Sequence, residues 1–205
     1  MIKKILYVLI VFIPLILLTG CQNSYNNIES FYNQMQLKKK SYNNMRYLLK
    51  VKIGDIKTQS LVSISNNKTR IESSLDNGKT YPTISIKNDD GAYMYIPNSK
   101  TAYETSQDID SQLDVLEWGD YDFSHFSFGK RKKYNGEKCL EIINYTKNNE
   151  IYYCISEKYG IPIVSRISMG KDYNITTNVY NIKTSRISKK KFEIPKKAKI
   201  IRQAM

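Results

Sequence analysis

The hydrophobic pattern divides the chain into three parts. Residues 5–18 are almost uninterruptedly apolar. Over residues 24–37 the apolar side chains recur at spacings of three and four, which predicts an amphipathic helix. From residue 41 onward the period is two for most of the chain, and this alternation predicts β-strands with one solvent-exposed face.

The predicted helix has recognisable signals at both ends. Ser24 is the expected N-cap. Lys38-Lys39-Lys40 places positive charge at the carboxyl end, where the helix dipole favours cations. The apolar stripe between these ends must cover another surface, and a curved sheet would provide one. The stripe consists of Tyr25, Ile28, Phe31, Tyr32 and Met35.

Turn sequences separate the predicted strands at hairpin distance, for example Ile53-Gly54-Asp55, Asp76-Asn77-Gly78 and Asn135-Gly136. Short connections of this kind imply antiparallel pairing. We count about ten or eleven strands, and a sheet of that size with one wet face curls. The pattern therefore predicts a mainly β (α+β) domain over residues 41–205. Its curved antiparallel sheet forms an incomplete half-barrel, covered by helices at 24–37 and 108–118.

The N-terminal apolar run predicts export and lipidation. Lys3 and Lys4 precede it, and it ends in the lipobox Leu18-Thr19-Gly20-Cys21. We interpret residues 1–20 as a lipoprotein signal peptide and Cys21 as the carrier of a diacylglyceryl group, with residues 21–40 forming the tether and helix. The chain would then be held on the outer, extracytoplasmic face of a membrane. The alternative is an uncleaved signal anchor with an incidental cysteine.

The chain is strongly basic, with 32 Lys+Arg against 19 Asp+Glu and a formal net charge of +13. An exported lipoprotein rarely meets nucleic acid, so we expect no nucleic-acid partner. The basic residues either face anionic lipid or occupy wet strand faces, where lysines discourage edge-to-edge aggregation. The runs are Lys38-Lys39-Lys40, Lys130-Arg131-Lys132-Lys133, Lys189-Lys190-Lys191 and Lys196-Lys197 with Lys199.

The sequence offers little catalytic chemistry. His125 is the single histidine, and no hydrolase, zinc or phosphate-loop motif accompanies it. Asp108, Asp110, Asp114 and Glu117 lack the ligand spacing of an EF-hand, and apolar residues interleave with them at helical spacing. We therefore interpret these carboxylates as a solvated helix face. We predict a protein that is not an enzyme and has no metal and no cofactor beyond the lipid on Cys21.

Cys139 and Cys154 lie on the two arms of a hairpin that turns near Asn148-Asn149. Symmetry about that turn places Cys139 opposite roughly residues 156–158, so the two cysteines are near each other without being in register. A one- or two-residue bulge would bring them together. The sequence leaves open whether they form a disulfide.

Several short segments, taken in order, resemble the LolA/LolB-like lipoprotein-carrier superfamily over about residues 41–198. In chain character the sequence looks most like the germination lipoproteins of clostridia. This resemblance implies a half-barrel and a non-enzymatic role in spore germination, in the developing spore. There the lipoprotein binds the cortex N-acetylmuramoyl-L-alanine amidase CwlD and supports formation of muramic-δ-lactam. The segments are 68–72, 90–97, 100–103, 160–164, 180–183 and 192–195.

Two binding functions follow as hypotheses. The first is stable contact with a wall amidase through an exposed apolar and tyrosine-bearing surface or through a sheet edge, which could also pair two copies into a homodimer. The second is lipid or lipoprotein carriage, which needs an apolar cavity of several hundred Å³. The candidate partner surface comprises Tyr93, Tyr95, Trp118, Tyr152 and Tyr153.

Overall fold

The computed structural model describes residues 25–75, 83–118, 122–145, 149–169 and 173–202. The predicted signal peptide, Cys21 and the turn at residues 76–78 lie outside these ranges, so these assignments stay predictions. Within the ranges, none of the helices combines the length and the apolar character needed to cross a membrane.

The amphipathic helix, α1, spans Ile28–Ser41. The prediction of Ser24 as its N-cap was wrong, because Asn27 caps the helix. The Asn27 side chain accepts a hydrogen bond from the Ser30 amide at 2.7 Å, and the Ser30 hydroxyl reaches back toward the cap. This reciprocal pair satisfies amides that have no partner within the helix. The three lysines at 38–40 form the last turn, as predicted.

Twelve strands in the described residues form one sheet. It is antiparallel except at β12, which pairs with β6 in parallel. The order across the sheet is β12-β6-β5-β4-β3-β2-β1-β11-β10-β9-β8-β7. The strands are β1 Asn44–Ile53, β2 Ile56–Ser65, β3 Lys68–Leu75, β4 Thr83–Asn88, β5 Gly91–Ile96, β6 Thr101–Glu104, β7 Ser127–Tyr134, β8 Glu137–Tyr145, β9 Asn149–Ser156, β10 Pro162–Met169, β11 Tyr173–Lys183 and β12 Lys199–Ile201.

The order of the strands explains the shape. Strands β1 to β6 extend in one direction from the centre and β11 to β7 in the other, so the first and last long strands meet at a β1–β11 seam. The two outer strands, β7 and β12, do not pair with each other. The sheet is therefore curved and unclosed, and the predicted mainly β half-barrel is confirmed.

Both faces of the sheet are partly covered. Helix α1 and the short 3₁₀ helix η1, Asp110–Leu116, lie on one face, which we call the helix face. The segment 184–198, including the 3₁₀ helix η3 (Lys189–Phe192), crosses the other face. We call this the C-terminal face. A third short helix, η2, spans Phe123–His125.

Candidate binding site on the helix face

Helix α1 fills the helix face over the C-terminal half of the sheet. Phe31 and Met35 are completely buried. The ring of Phe31 lies 5.6 Å from Trp118 and makes an edge contact at 4.5 Å with Tyr25. Close packing of this kind leaves no room for a ligand between these residues of the helix and the part of the sheet that the structure describes. The same apolar cluster includes Leu140, Ile142, Tyr153 and Ile155 from β8 and β9.

The turn between β9 and β10 holds the helix closely. Gly160 has φ +73°, and a Cβ at this position would lie 2.1 Å from the carbonyl oxygen of Met35. The ammonium group of Lys38 donates to the carbonyl oxygen of Glu157. Beyond the helix end, the hydroxyl of Tyr42 donates to the carbonyl oxygen of Lys158 at 3.1 Å.

The start of the helix is tied to the same turn by a partly buried polar contact. The hydroxyl of Tyr25 donates to the carboxylate of Glu157 at 3.1 Å, and Arg131 binds that carboxylate through two nitrogens at 3.0 and 3.1 Å. Burial would raise the pKa of Glu157, but Arg131 and Tyr25 lower it below its ordinary value. Burial and the charge of Glu157 raise the pKa of Tyr25 to about 12. The helix is therefore fastened at both ends.

A groove of about 400 Å³ remains between the carboxyl end of α1 and η1. Its lining is mixed. Apolar side chains from the sheet and from η1 include Met45, Ile64, Leu113 and Leu116. Polar and charged side chains from the two helices, from strand β3 and from the adjoining turns include Lys39, Asn66, Thr69, Asp110 and Glu117. The Lys39–Glu117 ion pair joins the two helices beside it.

Polar contacts fix η1 to strands β3 and β4. The carboxylate of Asp110 accepts from the Thr69 hydroxyl at 2.6 Å and from the Lys87 ammonium at 2.5 Å. Burial would raise the pKa of Asp110, but these two donors lower it. A further contact joins the side chains of Ser85 and Gln112. Asp110 therefore helps to attach the helix to the sheet, which corrects its interpretation as part of a solvated face.

Comparison with solved structures gives the fold. An uncharacterised conserved protein from Thermus thermophilus superposes with a TM-score of 0.58 at 8% identity, over 83% of this chain and 98% of its own. MucB in complex with MucA(peri) superposes at 0.54 and 9% identity, over 85% of this chain and 62% of its own. A LolA superfamily protein from Nitrosomonas europaea aligns with a TM-score of 0.39 at 7% identity, over 82% of this chain and 97% of its own.

This chain shares its half-barrel fold with the Thermus protein and with MucB. The present chain spans less than two thirds of the MucB chain. No family model matches the sequence, and no curated protein matches it either. At these sequence identities the similarity shows only that the folds are alike. Evidence on function therefore comes from the surfaces of this chain.

The prediction that five aromatic side chains form an exposed partner surface was wrong. Its five side chains, Tyr93, Tyr95, Trp118, Tyr152 and Tyr153, are each 8% exposed or less. Trp118 and Tyr153 pack under α1, Tyr95 packs under the C-terminal segment, and Tyr152 packs beside the cysteines. All five are core residues because both faces of the sheet are covered at these positions. Neighbouring strand residues point to opposite faces, so Tyr152 and Tyr153 are buried in two different apolar clusters.

Cys139 and Cys154 form a disulfide, with their Cα atoms 5.3 Å apart. Cys139 lies opposite Ser156, and Cys154 lies opposite Glu141. No register shift occurs between β8 and β9, so the two cysteines are diagonal neighbours on one face and need no bulge.

Three exposed apolar side chains lie at one edge of the sheet. Three others lie at the β1–β2 hairpin and the adjoining end of β3, namely Ile53, Ile56 and Leu75. Tyr103 on β6 is 42% exposed, and Ile200 and Ile201 on β12 are 46% and 36% exposed. Ile201 pairs with Tyr103, so these two share the helix face, whereas Ile200 pairs with Ala102 and lies on the C-terminal face of the same edge. We call Tyr103, Ile200 and Ile201 the edge patch. Sequence reasoning missed this patch because β12 is too short to show alternation.

The remaining candidate residues show no assembled chemistry. His125 is exposed, and its Nε2 lies 4.0 Å from the carboxylate of Asp122 three residues earlier. In the described ranges, histidine, cysteine and carboxylate side chains nowhere form a group of three or more that could hold a metal. Part of the basic runs is engaged internally, since Lys132 binds the buried Glu141 and Lys191 binds Glu72.

Proposed function

We propose that this chain is a lipid-anchored, extracytoplasmic binding protein without catalytic activity of its own. As the sequence resemblance implies, it would be a germination lipoprotein of the GerS type. Its partner would be the N-acetylmuramoyl-L-alanine amidase CwlD, which it would activate so that muramic-δ-lactam forms in the spore cortex. Its working surface would be the edge patch.

The observation that carries the proposal is the placement of exposed apolar side chains at an open sheet edge. An edge strand presents unpaired backbone donors and acceptors, and a second chain can add a strand there. Tyr103 and Ile201 on one face of this edge, and Ile200 on the other, supply exposed apolar side chains beside those groups. Aromatic and aliphatic anchors that become desolvated are the usual source of lasting affinity between proteins.

Two further points support a protein partner. Helix α1 is packed and fastened over the helix face, so no long apolar channel remains between the described residues of the helix and those of the sheet. MucB, which shares the fold, has been crystallised in complex with MucA. A half-barrel of this type can therefore serve protein binding.

The test is co-purification of the full chain with CwlD, followed by an amidase assay. We expect the complex to persist at about 1 M salt, where the screening length is about 3 Å, because an apolar contact is not screened. The double variant Tyr103→Ser/Ile200→Ser should lose the complex and the stimulation of the amidase. Leu37→Ser removes an exposed apolar side chain on α1 and should leave both unchanged.

Three outcomes would count against the proposal. Dissociation at moderate salt would move the contact to the basic runs. Failure to bind or stimulate the amidase at any salt would remove CwlD as the partner. Modification of peptidoglycan by the purified chain alone would contradict the absence of catalytic activity.

The membrane anchor has its own test. Changing Cys21 to Ala removes the thiol that a diacylglyceryl group requires, so the chain should leave the membrane fraction. Unaltered fractionation would show that the lipobox interpretation is wrong.

The second candidate function is lipid or lipoprotein carriage, which the groove beside α1 favours. Its apolar floor and its volume of about 400 Å³ suit a short apolar group, although charged side chains line much of its rim. Native mass spectrometry of the purified chain separates the two functions. A recurring bound lipid would favour carriage, and an empty protein would favour partner binding.

A further inference from the structure

A row of three cations and one serine crosses four strands on the C-terminal face, and we call it the cation row. The pairing register sets Arg70 opposite Ser63, Ser63 opposite Arg46, and Arg46 opposite Lys183. Directly paired residues of neighbouring strands share a face. Arg46 and Lys183 are therefore like charges facing each other across the β1–β11 seam, beside a register shift between Arg46 and Leu48, and like charges directly opposite each other are destabilising.

The C-terminal segment borders this row, and a partly open cavity lies between the segment and the sheet. Arg46, Ser63 and Lys183 line it from the sheet, and Arg186 and Lys191 line it from the segment. Its volume is about 250 Å³, and no carboxylate belongs to the lining. Ser185, Ile187 and Ser188 complete the lining. The cavity thus gathers four cations and three hydroxyl groups.

Most of these cations have no partner of their own. Lys191 and Arg70 both bind the carboxylate of Glu72. In the part of the chain that the structure describes, Arg46, Lys183 and Arg186 form no ion pair. These three side chains are exposed, and positive charges placed close together repel one another when no anion lies between them.

Ser63 provides a second, independent observation. It is 0% exposed, and its hydroxyl oxygen has no hydrogen-bond partner among the described residues. A buried hydroxyl without a partner costs free energy, and nearly all such groups in folded proteins are satisfied. Ser63 is one of the residues that line the cavity, and its pairing with Arg46 and Arg70 puts its side chain on the face of the sheet that the cavity occupies.

We propose that this cavity binds a phosphate group. A tetrahedral anion with several acceptor oxygens can accept bonds from donors on two sides, here the sheet below and the C-terminal segment above. The volume holds the phosphate together with a few atoms of an alcohol that carries it. A soluble phosphate ester and the headgroup of an anionic lipid share this chemistry. The site is independent of the amidase contact at the β12 edge of the sheet.

The test uses the full chain in a nonionic detergent and isothermal titration calorimetry at constant ionic strength. The probes are sodium phosphate, glycerol 1-phosphate and dihexanoyl phosphatidylglycerol, with dihexanoyl phosphatidylcholine for comparison. We expect Ser63→Ala to weaken binding about tenfold, as for the loss of one hydrogen bond to a charged group. The triple variant Arg46→Gln/Lys183→Gln/Arg186→Gln should weaken it more than tenfold.

Two matched controls separate the site from general charge and general packing. Lys52→Gln/Lys57→Gln/Lys138→Gln removes three exposed positive charges elsewhere on the sheet. Ser165→Ala removes another buried, unpartnered hydroxyl that does not line this cavity. Both controls should bind phosphate as the unaltered chain does.

Each result decides the proposal. Site-dependent binding of glycerol 1-phosphate supports it with a soluble source, and site-dependent binding of phosphatidylglycerol alone supports it with a lipid source. No heat of binding for any phosphate probe overturns it. Equal weakening in the two triple variants also overturns it, since the lysines would then act as a diffuse field. Ser63→Ala with undiminished affinity removes the hydroxyl from the site and contradicts the proposed geometry.

Discussion

Replacing Gly160 with alanine tests whether α1 is docked as tightly as described. The residue has φ +73°, and its amide donates to the Ser156 carbonyl oxygen at 2.8 Å in the β9–β10 turn. An added Cβ would lie 2.1 Å from the Met35 carbonyl oxygen and 2.9 Å from the Lys39 nitrogen. Both contacts are with helix backbone, which cannot turn aside as a flexible side chain would. The helix must move or the turn must distort.

The expected cost has two parts. A left-handed backbone conformation costs a non-glycine residue about 1 kcal/mol. Forcing an extra carbon into a packed contact costs about 1–3 kcal/mol more. Gly136 is the matched control, because its φ is +88° and a Cβ added there would meet nothing within 4 Å. Gly136→Ala should therefore lose about 1 kcal/mol, and Gly160→Ala about 2–4 kcal/mol.

Urea unfolding followed by the fluorescence of buried Trp118 measures both variants. With a typical slope of about 2 kcal/mol per molar urea, the midpoint for Gly160→Ala should lie about 0.5–1.5 M below that for Gly136→Ala. A hydrophobic dye should also bind more strongly to Gly160→Ala, because a displaced α1 uncovers the apolar cluster. Equal midpoints for the two variants would refute the close docking, and with it the argument against a lipid channel under the helix.

Two further predictions concern stability. Replacing both Cys139 and Cys154 with alanine should lower the free energy of unfolding by about 3 kcal/mol, because the disulfide closes a loop of 15 residues in the unfolded chain; an unchanged urea midpoint under oxidising conditions would contradict this. Burial would raise the pKa of Glu72, but Lys191 and Arg70 lower it, so its contribution is present at neutral pH and is lost as the pH falls through the lowered value. The urea midpoint of Glu72→Gln should therefore fall less between pH 6 and pH 3 than that of the unaltered chain, and equal pH profiles would show that Glu72 does not contribute.

Much of the sheet could be predicted because its strands alternate clearly. Strand β5 illustrates both the success and its limit. Alternation correctly separates Ala92, Met94 and Ile96 from Tyr93 and Tyr95, and Pro97 ends the strand as expected. The pattern does not say what covers each face. Tyr95 packs under the C-terminal segment, and a single strand carries no signal from a segment about a hundred residues later.

Long-range contacts also account for the other misses. The start of α1 depends on which side chain caps it. Asn27 and Ser30 cap each other reciprocally, but residue preferences alone favour Ser24 as strongly as Asn27. Arg46 and Lys183 are 137 positions apart in the sequence. The pairing of β1 with β11 brings them together, so the sequence alone does not reveal the cation row. Strand β12 is three residues long, and its parallel contact with β6 defines it more than its composition does.

The covered faces and the open edge together favour binding of a partner over carriage of a lipid. A carrier must expose an apolar interior and cover it again, so the element over that interior should be held by contacts that are easily broken. Here α1 contacts the β9–β10 turn through backbone at Gly160, through Lys38 and through the partly buried Tyr25–Glu157 bond. Opening would break all of these at once and leave the Glu157 carboxylate with one fewer donor in a partly buried site. The edge patch requires no such opening, because Tyr103, Ile200 and Ile201 are already exposed. A partner that adds a strand there gains backbone bonds and apolar contact without disturbing the half-barrel.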